Sequence, residues 1–203
     1  MAFSGGRDRP DRSAGPADRA AEPPDGPDAD PYEVARAICL RLLTDRARTR
    51  AELATALARR NVPPDVGDAV LDRFTELGFV DDGAFAAAWV QSRHAGRGLG
   101  RRALTHELRA RGVDDASIAT AVEAVGEAEE AVRARELVNR KLRATRGLPA
   151  ATRARRLAGM LARKGYPGGL AARVVREALQ ADAADPGLLQ ADDAATDWAA
   201  LGE

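Results

Sequence analysis

From residue 31 onward, apolar residues return at helical spacing, and no segment keeps the alternation of a half-buried strand. Over "DPYEVARAICLRLL", Val34, Ile38 and Leu42, with Ala35, Cys39 and Leu43 beside them, form one face. Asp30 is placed to cap this helix, Pro31 suits its first position, and Glu33 has the spacing of a capping box. A second start follows at "TRAELATALARR", where Thr49 and Glu52 repeat that spacing and Leu53 and Leu57 face inward. A third helix opens on Pro63–Pro64–Asp65, carries Val66, Val70, Leu71 and Phe74 on one stripe, and ends at Gly78.

The same plan then recurs. "LARRNVPPDVGDAVL" from Leu57, "LRARGVDDASIATAV" from Leu108 and "LARKGYPGGLAARVV" from Leu161 begin 51 and 53 residues apart. Each runs from a leucine through basic residues to a small polar position (Asn61, Gly112, Gly165), an apolar anchor (Val62, Val113, Tyr166) and a new helix. Self-similarity at a nearly constant period marks tandem supersecondary units. The expected fold is all α, with three tandem three-helix, helix-turn-helix-like repeats over 31–80, 81–126 and 127–180. A unit of some fifty residues buries too little to stand alone, so the repeats should lean on their neighbours in an elongated arrangement. Residues 1–30, rich in Pro, Gly, Asp and Arg, are expected to be a disordered N-terminal tail. Residues 181–203 are expected to be an acidic flexible C-terminal tail.

Charge changes the picture. The chain is formally neutral, yet residues 31–180 carry 27 Lys and Arg against 18 Asp and Glu, and the tails are acidic. A basic body suggests a polyanionic partner. No apolar run approaches the length that crosses a bilayer, and the N-terminal stretch has charges where a leader needs an apolar core, so a cytoplasmic protein is expected. It is expected to act as a monomer.

The stretch "SRHAGRGLGRRALTHELRARGV" holds the strongest local signal. Its glycines do not make a nucleotide loop: the preceding segment, with Phe85 and Trp89 four apart, reads as helix, and no Lys-Ser/Thr follows. They read as the flexible turn between two helices. Arg102, His106 and Arg109 share an outward face, and Arg93, Arg97 and Arg101 lie close by. In the third repeat Arg140, Lys141, Arg143, Arg153, Arg156, Arg163 and Lys164 complete the candidate polyanion-binding set, with Arg156 and Arg163 on a stripe turned away from Leu157 and Leu161. Phe74, Phe85, Trp89, Leu104 and Leu108 read as core rather than as base-stacking platforms. His94 and His106 read as solvated, and Cys39 as a buried thiol. No carboxylate–histidine cluster emerges and one cysteine cannot build a zinc site, so no catalytic residue, metal or cofactor is expected.

"VDDGAFAAAWVQSRHAGRGLGRRALTHELRARGV" resembles the central signature of the RecX family, bacterial regulatory partners of the RecA recombinase. The matching residues are Asp82, Phe85–Ala86, Trp89, Arg93, Gly96 to Gly100, Glu107–Leu108–Arg109 and Arg111–Gly112–Val113. "RARTRAELATALARRNV" with "VLDRFTELGFVDD" resembles the family's first unit, and "RARRLAGMLARKGYP" its third. Trp89 replaces the commoner tyrosine, and Arg111 a usual lysine. The resemblance implies a non-enzymatic modulator that binds RecA and the RecA–single-stranded-DNA filament and suppresses recombinase, ATPase and coprotease activities, so regulating DNA repair and the SOS response. Weak non-specific DNA binding would accompany it. The competing reading of the residues is a helix-turn-helix transcriptional regulator that reads base sequence. Scarce Asn and Gln, and the acids Asp65, Asp68, Asp114 and Asp115 at the starts of the third helices, weigh against it.

Overall fold

Each stretch of helical periodicity is a helix in the computed structural model, which describes residues 30–184. The first repeat comprises α1 (Pro31–Asp45), α2 (Arg50–Ala58) and α3 (Pro64–Glu76). The second comprises α4 (Asp82–Arg97), α5 (Arg101–Arg109) and α6 (Asp115–Glu123). The third comprises α7 (Glu127–Leu142), a short 3-10 turn (Arg143–Thr145), α8 (Ala150–Arg163) and α9 (Gly168–Ala184). Among the described residues there are no strands. The fold is an all-α tandem repeat. The tail expected over 1–30, save Asp30, and all of the C-terminal tail beyond Ala184 lie outside the described residues.

Local chemistry starts the helices where the pattern places them. Asp30, Thr49, Asp81 and Asp114 cap α1, α2, α4 and α6, each accepting from an amide of the first turn. The two capping boxes are not closed, however. Glu33 pairs with Arg36 at 3.0 Å, and Glu52 turns to Arg46 at 3.2 Å and to Arg111. After α2, α5 and α8 the chain makes one and the same turn. Val62, Val113 and Tyr166 donate their amides to the carbonyls of Leu57, Leu108 and Leu161 at 3.2, 3.2 and 3.1 Å. Asn61, Gly112 and Gly165 hold the left-handed position at φ 57°, 75° and 85°.

Three separate apolar clusters follow, one per repeat. Ile38, Leu53, Leu71 and Phe74 belong to the first, Phe85, Val90, Leu104 and Leu108 to the second, and Val138, Leu157, Leu161 and Val174 to the third. Each such side chain contributes roughly 1.5–3 kcal/mol relative to exposure. Between repeats the same polar contacts recur. At the first joint Thr49 Oγ1 donates to Arg111 O at 2.7 Å, and the Arg50 amide donates to Asp82 Oδ1 at 2.9 Å. At the second, the Gly100 amide donates to Lys164 O at 2.8 Å, and the Arg101 amide to Glu130 Oε1 at 2.9 Å. In both, the cap and first residue of a middle helix are held by the next repeat.

The glycine-rich stretch is therefore not a free turn. Gly96 lies within α4, Tyr166 Oη donates to Gly98 O at 3.1 Å, and Lys164 Nζ donates to Arg97 O at 2.6 Å. Residues 95–100 present backbone groups that the third repeat occupies, and this replaces the expectation of flexibility. The C-terminal boundary also differs from expectation. Asp182 is buried in α9, bound by Arg146 at 2.8 Å and Arg153 at 2.5 Å, because the apolar stripe of α9 continues past Val175 and Leu179.

Close approach at the joints forbids side chains. A Cβ on Gly165 would lie 2.3 Å from the Ala103 amide nitrogen, and one on Gly112 would lie 2.3 Å from Ala51 Cβ. Gly78 has a comparable φ of 72° with nothing within 4 Å. Gly78→Ala should thus report backbone strain alone, about 1 kcal/mol, whereas Gly165→Ala adds the clash and should cost about 2–3 kcal/mol in urea denaturation. Equal losses in the two variants would show that the joint yields freely.

Candidate functional site

The second joint brings cations of two repeats to one place. Arg102 and His106 on α5, with Glu107, face Arg163 at the end of α8 across a crevice of about 610 Å³ floored by Tyr166 and Gly165. Arg102, His106 and Arg163 are exposed. Neither arginine makes an ion pair among the described residues, so both retain their full positive field. Arg156 lies two turns before Arg163 on α8 and is likewise exposed. Lys164 is half-buried because its ammonium is spent on the Arg97 carbonyl, while the Arg97 guanidinium remains exposed. Arg140, Lys141 and Arg143 form a second exposed group at the far end of α7.

The remaining candidates do other work. Arg93 lies 4.0 Å over the Trp89 ring and 3.8 Å from Glu107. Arg101 pairs with buried Glu130 at 3.2 Å and with Glu127 at 3.6 Å. Arg109 pairs with Asp115 at 2.9 Å, and Arg153 with Asp182. Arg101 ties the second repeat to the third, while Arg93, Arg109 and Arg153 tie segments within their own repeats. Arg59, Arg60, Arg155, Arg173 and Arg176 are exposed and make no ion pair among the described residues, and they were not in the expected set. Their signal was present but diluted, since arginine supplies 29 of the 31 cations and nothing in composition separates free from paired ones.

His94 is a correction. It is buried rather than solvated, because α4 runs on to Arg97 and carries Ala86, Val90 and His94 down its inner stripe at steps of four. Trp89 is half-buried, stacked on Phe85 at 5.8 Å and covered by Arg111 at 3.8 Å as well as by Arg93. Its faces are occupied. Burial pushes the Cys39 thiol up to about 11, which leaves it un-ionised and inert near neutral pH. Among the described residues no group of His, Cys, Asp and Glu is placed to hold a metal ion. None of their helices is long and apolar enough to cross a membrane.

Three family models match in order: RecX, first three-helix domain, over 35–74; second three-helix domain, over 81–122; and third three-helix domain, over 128–175. The chain belongs to the RecX family. The regulatory protein RecX of Thermobifida fusca is 58% identical over 171 residues, covering 81% of this chain and 92% of that protein. The RecX of Mycolicibacterium smegmatis is 51% identical over 166 residues, covering 76% and 88%. A crystal structure of RecX from Lactobacillus salivarius shares the fold at 16% identity and TM-score 0.69, covering 73% of this chain and 96% of that one. RecX proteins are regulatory proteins, and this chain is one of that family.

Within this RecX-family chain, Asp182 offers a test of the third repeat. Hydrogen bonds from Arg146 and then Arg153 hold its carboxyl below the usual carboxylate range. A lowered folded-state value stabilises the fold above the unfolded value of about 4, and that stability is lost as pH falls further. The stability advantage of the native chain over Asp182→Asn should therefore be constant above about pH 5 and shrink below about pH 4, followed by chemical denaturation across pH. A pH-independent difference would contradict the role given to its charge.

Proposed function

We propose that this RecX-family protein binds RecA and the RecA–single-stranded-DNA filament and restrains the filament's recombinase, ATPase and coprotease activities, without chemistry of its own. The observation that carries this reading is the crevice where uncompensated Arg102 and Arg163 converge from different repeats. Phosphates along a strand match such a row of cations, and Arg97 and Arg156 extend it. Repeats joined in sequence suit a partner that is itself a helical polymer. A ligand that prefers one filament state shifts assembly by its differential affinity, which suffices for regulation. The site proposal narrows accordingly. Arg97, Arg102, Arg140, Lys141, Arg143, Arg156 and Arg163 face the polyanion. Arg93, Arg101, Arg109, Arg153 and Lys164 position them. The same body carries weak non-specific affinity for DNA.

Titrating the purified protein into RecA, single-stranded DNA and ATP should depress ATP turnover; no effect at equimolar protein would refute the reading. On single-stranded DNA alone, the double variant Arg102→Ala/Arg163→Ala should bind with a salt slope shallower by about 1.4, two contacts at about 0.7 each. Asp115→Ala, which frees Arg109, should leave that slope unchanged or steeper.

A further inference from the structure

On another face of the second joint lies a groove unlike the basic crevice. Helices α4, α6 and α7 enclose about 790 Å³ lined chiefly by Ala87, Val90, Ala121, Val125 and Val132. Val132 is 51% exposed at its edge, the one large apolar side chain of the second and third repeats that is exposed among the described residues. Two buried polar atoms of lining residues, His94 Nε2 and Arg133 Nε, have no hydrogen-bond partner among the described residues. His94 is 6% exposed, and its Nδ1 faces the Leu99 carbonyl at 2.8 Å. A carbonyl can only accept, so Nδ1 carries a proton and donates to it. Both unmatched atoms lie beneath the groove's surface, so a docking partner does not touch them directly.

Charge decides what fits. The only cation of the lining, Arg133, is held by Glu136 at 2.6 Å and by the Ala95 carbonyl. Glu129 lines the same groove, is exposed, and makes no ion pair among the described residues. A phosphate backbone would meet apolar surface and a free carboxylate, so the groove does not suit nucleic acid. Nor does it suit this chain's own ends. Residues 185–203 carry five acidic groups and no Lys or Arg, and residues 1–29 carry six acidic groups against four arginines.

We propose that this groove is the protein-docking half of the molecule, and that it takes a segment of a RecA subunit presenting an apolar ridge flanked by a basic side chain. The ridge covers Val132 and its neighbours, and the basic flank answers Glu129. The proposal rests on the functional reading above and divides it: phosphates meet the crevice of Arg102 and Arg163, protein meets the groove of α4, α6 and α7.

Binding to RecA free of DNA and nucleotide, and separately to a single-stranded oligonucleotide, tests the division. Val132→Glu and Ala124→Glu place charges on exposed positions of the groove, outside the apolar core, and unchanged urea midpoints would certify their folds. Each should weaken RecA binding about tenfold or more while oligonucleotide affinity holds. Glu129→Lys should weaken RecA alone as well, and Arg102→Ala/Arg163→Ala should show the opposite selectivity. Native affinity for RecA in both groove variants overturns the docking assignment while the functional reading stands. A native protein that sediments as a dimer, with Val132→Glu restoring monomers, makes the groove a self-interface and overturns it too. A native protein with no affinity for RecA removes the functional reading, and the docking assignment with it.

Discussion

An α-helix begins with amides that have no carbonyl of their own to meet, and in this protein the middle helix of one repeat hands its opening donors to the next. Arg50 gives its amide to Asp82, and Arg101 gives its amide to Glu130. A carboxylate at a helix N-terminus is favoured by the partial positive charge there, so each contact stabilises both the helix and the interface. Glu130 is 1% exposed, and a bare charge so deeply buried would be strongly unfavourable. The Arg101 amide and guanidinium, both on the same carboxylate, make it tolerable. Docking of one repeat on its neighbour thereby satisfies amides that the middle helix would otherwise leave open. Other features follow from this constraint: the missing side chains at Gly112 and Gly165, the buried Tyr166 hydroxyl, and the crevice that opens beside the joint.

The helices and their repetition were legible because both depend on local chemistry. Caps, proline starts and leucine stripes operate within a few residues, and the turn after each middle helix repeats the same 6→1 hydrogen bond. Asp81–Asp82 shows where legibility stops. The pair reads as two helix-start acids, and Asp81 is indeed the cap. Asp82 serves a helix thirty-two residues earlier, and burial pushes its carboxyl up, with the Arg50 amide working in the opposite direction. Nothing local distinguishes them. Glu130 looks like one more acid in the glutamate-rich first turn of α7. His94 is hidden because the glycines after it read as a turn, whereas α4 continues to Arg97 and turns it inward.

The candidate site was legible by type but not by role. Twelve basic residues form one class in the sequence, and the fold sorts them by whether an acid reaches them. Arg109 finds Asp115 across a turn, and Arg153 finds Asp182 across the repeat. Arg102 and Arg163 find none among the described residues and line one crevice. Unpaired cations gathered there leave a positive potential that favours an entering anion. Paired arginines gain much less from the same anion, because their existing partners must first be displaced. The cations that remain unpaired are therefore those with most to gain from a polyanion.

Asn61 brings the joint and the repeat pattern together. It occupies the left-handed turn position that is glycine in the second and third repeats, and its φ of 57° is tolerated better by asparagine than by most residues with a side chain. Glycine at Gly112 and Gly165 is demanded less by φ than by the middle helix pressing from the repeat before. No repeat precedes the first among the described residues, so that pressure is absent and Asn61 stands exposed. Backbone conformation alone thus admits a side chain at this position, and the neighbouring repeat removes it. The change from asparagine in the first turn to glycine in the next two follows which turns are covered.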